Sequence, residues 1–98
     1  MQIFKIAVLI SGNGSNLQAI IDNLKNQEGI GICSVISNKK DAYGLTRAIE
    51  AGIDTYVINH EDYSSREAFE EELIKVLRKQ SPDLIVLAGF MRILSKVF

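Results

Sequence analysis

The residues best suited to chemistry stand near the amino terminus, in Ser11-Gly12-Asn13-Gly14-Ser15-Asn16. Two glycines permit left-handed or crowded backbone here, and Ser15 and Asn16 are good helix N-caps. A turn of this composition at the start of a helix aims several backbone N–H groups at one anion, with the helix dipole in support. Its natural guest is a phosphate. The plainer alternative is a tight strand-to-helix turn that binds nothing. What is missing narrows the kind of phosphate. The dinucleotide fingerprint G-x-G-x-x-G needs a third glycine where Leu17 stands. No acidic residue closes the second strand to hold a ribose; the sequence there is Ser37-Asn38-Lys39. A Gly-Lys-Ser/Thr run is also absent, which excludes a P-loop. The turn therefore favours a phosphomonoester over a nucleotide pyrophosphate.

Other reactive groups offer less. The single histidine, His60, is followed by Glu61 and Asp62. A metal site wants more ligands than this cluster supplies, and His60 reads as an ordinary surface residue. The lone Cys33, in Ile32-Cys33-Ser34-Val35, reads as a buried core thiol. It cannot form an internal disulfide, in keeping with a reducing compartment.

Two kinds of segment alternate to position the turn. Ile6-Ala7-Val8-Leu9-Ile10 and Leu84-Ile85-Val86-Leu87-Ala88 are continuous apolar runs of strand length. Strands apolar on both faces belong to parallel sheets covered by helices on each side. Residues 30–36 and 55–58 are weaker candidates of the same kind. Leu17, Ile20, Ile21 and Leu24 share one face of a first helix, and Leu45, Ala48 and Ile49 repeat the spacing in a second, which Gly52 terminates. Ser64-Ser65-Arg66-Glu67 is a capping-box pattern, followed by the stripe Phe69, Leu73, Ile74 and Leu77. Glu67, Glu70, Glu71 and Glu72 early in this helix and Lys75, Arg78 and Lys79 late suit its dipole and read as a solvated face. Pro82 ends the pattern before the last strand. The order β-α-β-α-β-α-β predicts a doubly wound α/β sheet of about four strands, Rossmann-like, with right-handed crossovers and a site beyond the carboxyl ends of the strands. The last strand is expected beside the first, as an open edge through which copies of the chain could associate.

At 98 residues the chain is one small domain at most, and its stability margin is thin. With 11 basic and 12 acidic residues intermixed, it presents no basic face, which argues against nucleic acid or an anionic membrane as partner. The first apolar run is too short to span a bilayer and carries no basic leader or cleavage site, so a cytoplasmic setting is expected.

Two stretches carry a more specific signal. Leu9-Ile10-Ser11-Gly12-Asn13-Gly14-Ser15-Asn16-Leu17-Gln18-Ala19-Ile20-Ile21 is similar, almost residue for residue, to the opening of bacterial phosphoribosylglycinamide formyltransferases. Leu87-Ala88-Gly89-Phe90-Met91-Arg92-Ile93-Leu94-Ser95 resembles that family's segment at the end of the fourth strand. Ser37-Asn38-Lys39, Ala51-Gly52-Ile53 and Ser65-Arg66-Glu67 fall at the expected intervals, so the resemblance covers essentially the whole chain. It implies that Gly14, Ser15 and Asn16 bind the phosphate of glycinamide ribonucleotide. It implies further that Met91, Arg92, Ile93 and Leu94 line the pocket for the co-substrate 10-formyltetrahydrofolate, that Arg66 contacts the same folate, and that no metal takes part. Short pieces of the pattern also occur in related folate-linked hydrolases and formyltransferases. Lys96 departs from the resemblance, standing where the family has proline.

The implied chemistry is attack by a primary amine on a formyl carbon through a tetrahedral intermediate, which needs an oxyanion donor and a proton-handling group. The family provides these with an Asn-x-His motif and a later Asp. The 98 residues contain no Asn-x-His, so residues 1–98 are expected to be the N-terminal, phosphate-binding part of a single incomplete formyltransferase domain, inactive alone. A fragment of a longer protein is favoured over a naturally shortened product. The alternative of another class is a non-catalytic module that senses a phosphorylated metabolite. A receiver-type domain is disfavoured, since the acidic cluster it needs near the first strand is absent.

Overall fold

The computed structural model describes residues 3–90. Four strands, β1 (Phe4–Ile10), β2 (Ile30–Ser37), β3 (Thr55–Val57) and β4 (Leu84–Leu87), alternate with three helices, α1 (Ser15–Leu24), α2 (Tyr43–Glu50) and α3 (Arg66–Gln80). All pairings are parallel, in the order β3-β2-β1-β4. The expected doubly wound sheet is present, with the last strand beside the first.

Handedness explains the layers. Through α1 and α2 the chain steps from β1 to β2 to β3 in one direction, and through α3 it returns past them to β4. Right-handed crossovers in opposite directions put their helices on opposite faces. Ile6, Val8 and Ile10 of β1 accordingly pack with Leu17 of α1 and with Leu45 and Ala48 of α2. Ala7 and Leu9, which alternate with them, pack with Phe69, Leu73 and Leu77 of α3. A strand buried on both sides has to be apolar at every position, which is why β1 reads as an unbroken run.

Several local expectations change. Helix α3 is capped by Ser65, whose Oγ accepts the Ala68 N–H at 3.1 Å. The cap lies one residue beyond the Ser64–Glu67 box, so Glu67 is not placed for the reciprocal bond. Glu70 is buried beside Phe69 and Leu73 and does not belong to the solvated face. Cys33 is only half-buried. The β1–β2 register skips it: Ile6 pairs with Ile32 and Ala7 with Ser34, leaving Cys33 in a bulge. In α2, Leu45 and Ala48 are buried while Ile49 is 63% exposed. The buried arc of this helix also includes Gly44, which moves its centre so that Ile49 lies about 90° away, at about 100° per residue.

These differences predict unequal costs for similar truncations. Leu73→Ala, at a fully buried site, should lower unfolding free energy by about 3 kcal/mol. Ile49→Ala should change it by no more than about 0.5 kcal/mol. Urea denaturation followed by circular dichroism separates the two, and equal losses would contradict this placement of α2.

Candidate functional site

The β1–α1 turn stands where the strand order reverses. One neighbour of β1 is β2 and the other is β4, so the crevice beyond its carboxyl end opens between connections that leave in opposite directions. A cavity of about 380 Å³ occupies this place, lined by Ser11 to Asn16, Lys39, Ala88 and Gly89. Gly14, Ser15 and Asn16 all border it, together with the exposed ammonium-bearing Lys39 from the end of β2.

Glycine shapes the turn. Gly14 is the N-cap of α1, with φ 81° in the left-handed region, and no side chain caps the helix. The expectation that Ser15 or Asn16 would cap it is corrected: both lie inside the helix. The first N–H groups of a helix have no intrahelical acceptor, and among the described residues no side chain caps them either.

The turn rests on α2. A Cβ built on Gly14 would stand 2.6 Å from the Gly44 Cα, and one on Gly44 would stand 2.5 Å from Ile10 Cδ1 and 3.2 Å from the Gly14 Cα. The Gly44 N–H donates to the Gly12 carbonyl at 3.0 Å. Arg47, one turn further along α2, donates from Nε to the Asn13 carbonyl at 2.8 Å, from Nη2 to Asn13 Oδ1 at 2.9 Å and from Nη1 to Gln18 Oε1 at 3.3 Å. Its guanidinium carbon also lies 5.0 Å from the centre of the Tyr43 ring.

The rim is tied on the other side by buried Asn38. Ser11 Oγ donates to Asn38 Oδ1 at 2.6 Å, and Asn38 Nδ2 lies 3.2 Å from His60 Nδ1. His60 is half-buried and meets Phe69 edge to face at 6.4 Å. Its reading as an ordinary surface residue is therefore corrected, because an imidazole nitrogen facing a buried amide is part of the framework. Ser37 Oγ holds the Lys39 backbone, accepting its N–H at 3.0 Å and donating to its carbonyl at 2.7 Å.

Of the other sequence candidates, Arg66 is exposed at the first position of α3 and does not line this cavity. Met91, Arg92, Ile93 and Leu94 lie outside the described residues. Among the described residues no group of three His, Cys, Asp or Glu side chains could hold a metal, and no helix is long and apolar enough to cross a membrane. Lys39, Gly44 and Arg47 were not singled out from the sequence. Lys39 had a local signal, being the first cation after a strand adjacent to β1.

Residues 4–98 match the family model described as formyl transferase, and the chain belongs to that family. It is 55% identical over 94 residues to the phosphoribosylglycinamide formyltransferase of Escherichia coli, covering 95% of this chain and 44% of that enzyme. It is 52% identical over 97 residues to the trifunctional purine biosynthetic protein adenosine-3 of Drosophila melanogaster, covering 96% of this chain and 7% of that protein. The phosphoribosylglycinamide formyltransferase of Coxiella burnetii, solved in complex with CHES, superimposes with a TM-score of 0.92 at 54% identity, over 97% of this chain and 45% of that one. The chain thus spans less than half the length of these relatives.

Gly14 and Gly29 have nearly the same backbone, with φ 81° and 80°, yet nothing lies within 4 Å of a Cβ added at Gly29. Gly29→Ala should cost about 1 kcal/mol of left-handed strain. Gly14→Ala should cost about 2–3 kcal/mol, strain and collision together. Chemical denaturation of both variants measures the difference, and equal costs would remove the Gly14–Gly44 contact as a constraint.

Proposed function

We propose that residues 1–98 are the phosphate-binding part of a single domain that transfers a formyl group from 10-formyltetrahydrofolate to the amine of glycinamide ribonucleotide, in the purine biosynthesis of the cytoplasm. The observation that carries this reading is the uncapped, glycine-shaped start of α1 facing a cavity that also receives Lys39. Backbone N–H groups and one ammonium suit a phosphomonoester, since they offer donors and charge without the ribose-binding carboxylate of a nucleotide site. The Escherichia coli and Coxiella burnetii relatives are named phosphoribosylglycinamide formyltransferases, and the Drosophila melanogaster relative is named a purine biosynthetic protein.

In this reading Gly14, Ser15 and Asn16 bind the phosphate through backbone and side-chain donors, and Lys39 adds charge neutralisation at the rim. Anchoring the phosphate here orients the remote amine for attack, so binding energy far from the reacting atoms supports the chemical step. Met91, Arg92, Ile93 and Leu94 form the folate side, with Arg66 contributing to the same co-substrate. The tetrahedral intermediate would be served by groups that are not among these 98 residues. Copies of the chain would self-associate along the exposed edge of β4, where Leu84 and Leu87 stand open.

Asn16→Ala, made in the protein expressed from its whole reading frame, should weaken glycinamide ribonucleotide by about tenfold and leave the folate within about twofold. Calorimetry with each ligand reads this directly, and equal losses for both would contradict the assigned site. Stronger binding of an unrelated nucleotide than of the ribonucleotide would favour a sensing module instead. The 98-residue chain by itself should show no formyl transfer above background in a folate absorbance assay, and measurable turnover would overturn the division of roles.

A further inference from the structure

We propose that Arg47 is a positioning residue of the phosphate loop, setting from α2 the direction in which the loop's N–H groups point. This rests on the reading of the cavity as the ribonucleotide phosphate site, but its own basis is the geometry of two peptide planes. No cis bond occurs among the described residues, and in a trans peptide the N–H points opposite to the C=O. The Gly12 carbonyl is drawn to the Gly44 N–H at 3.0 Å, which turns the Asn13 N–H away from α2. The Asn13 carbonyl is drawn to Arg47 Nε at 2.8 Å, which turns the Gly14 N–H away from α2 as well. Two successive amides are thereby aimed to the side of the turn opposite the helix, where they join the uncapped first turn of α1.

For the second of these amides the hold is a fork. Nε and Nη2 grip the main chain and side chain of Asn13 together, while Nη1 reaches Gln18 Oε1 in the helix that the turn opens. The guanidinium is held at one end by the Tyr43 ring, and the only ion pair among the described residues is Lys75–Glu72. The Arg47 charge thus has no carboxylate partner there and adds a fixed positive potential behind the turn. A lysine would keep that charge but lose the planar fork.

The test compares Arg47→Met, which removes charge and fork, with Arg47→Lys, which removes the fork alone, both in the protein from its whole reading frame. Glycinamide ribonucleotide and inorganic phosphate are titrated by calorimetry, and KM is measured separately for the ribonucleotide and for 10-formyltetrahydrofolate. Both variants should bind the ribonucleotide about tenfold more weakly and raise its KM in proportion, with the KM for the folate within about twofold. If Arg47→Lys keeps ribonucleotide affinity within about twofold, charge suffices and the positioning role falls. If both KM values move together, Arg47 supports the fold only. Should the wild-type protein prefer another phosphate ester, and Arg47→Lys weaken that ester, the positioning role stands while the ribonucleotide reading fails. Ribonucleotide binding that is unaffected by either variant leaves the reading intact and ends this inference, and a wild-type protein that binds no phosphate ends both.

Discussion

The contact between Gly14 and Gly44 is the constraint on which the rest of the site depends. Two backbones meet there, the turn at Gly14 and the start of α2 at Gly44, and the Ile10 side chain from the end of β1 packs against them. A side chain at either glycine would have to displace main-chain or core atoms, so the approach is available only to residues without a Cβ. Once the turn is seated, the Gly12 and Asn13 carbonyls come within reach of donors on α2, and the free end of α1 is directed into the cavity. The cost is borne by α2 itself. Its rotation is dictated by the glycine it must present, which spends part of its buried arc on Gly44 and leaves Ile49 in solvent.

The parts of the molecule divide between carrying and holding. The central strand β1 is buried on both faces and neighbours both β2 and β4, so its carboxyl end is the best-anchored point of the sheet. The loops that meet there are joined to one another by side chains rather than left to their own geometry. Asn38 links Ser11 on one side to His60 on the other, so the segments that follow β1, β2 and β3 share one hydrogen-bonded path, buried at Ser11 and Asn38 and half-buried at His60. A buried amide with both ends engaged resists rotation because any other orientation leaves a polar atom unsatisfied. Lys39 projects from this braced segment, its own backbone folded onto Ser37.

The alternation of strands and helices was legible because each element carries its own period. The runs of β1 and β4 and the stripes of α1 and α3 needed no distant partner to be recognised. The glycine-rich β1–α1 turn was legible for the same reason, since Gly14, Ser15 and Asn16 are consecutive. Features that depend on contact between remote segments were not legible. Arg47 lies 34 residues from Asn13 in the chain, and nothing about a mid-helix arginine announces its acceptor. Ile49 fits the helical spacing of α2, but spacing does not fix rotation when a glycine decides which side faces inward. Glu70 belongs to an acidic cluster that suggests solvent, and only the packing of α3 shows it inside. The cap of α3 moved by one residue because two adjacent serines are chemically equal and the tertiary fold chooses between them. The family was legible only through the two long stretches that resemble it; glycine spacing alone pointed no further than a phosphate ester.

The bulge at Cys33 sets the phase of everything downstream on β2. Before it, Ile6 stands beside Ile32; after it, Ile10 stands beside Ser37, one place later than a regular ladder would give. That single extra residue brings Asn38 level with Ser11. Paired in a regular ladder, the same residues would put Asn38 roughly 3 Å further along the strand, with its side chain on the other face. The bulge thus sets a register that is read out about 16 Å away, at the rim of the cavity beyond β1. The irregularity works as a length adjuster, and an oxidised or bulky adduct on its half-exposed thiol would strain that adjustment from a distance.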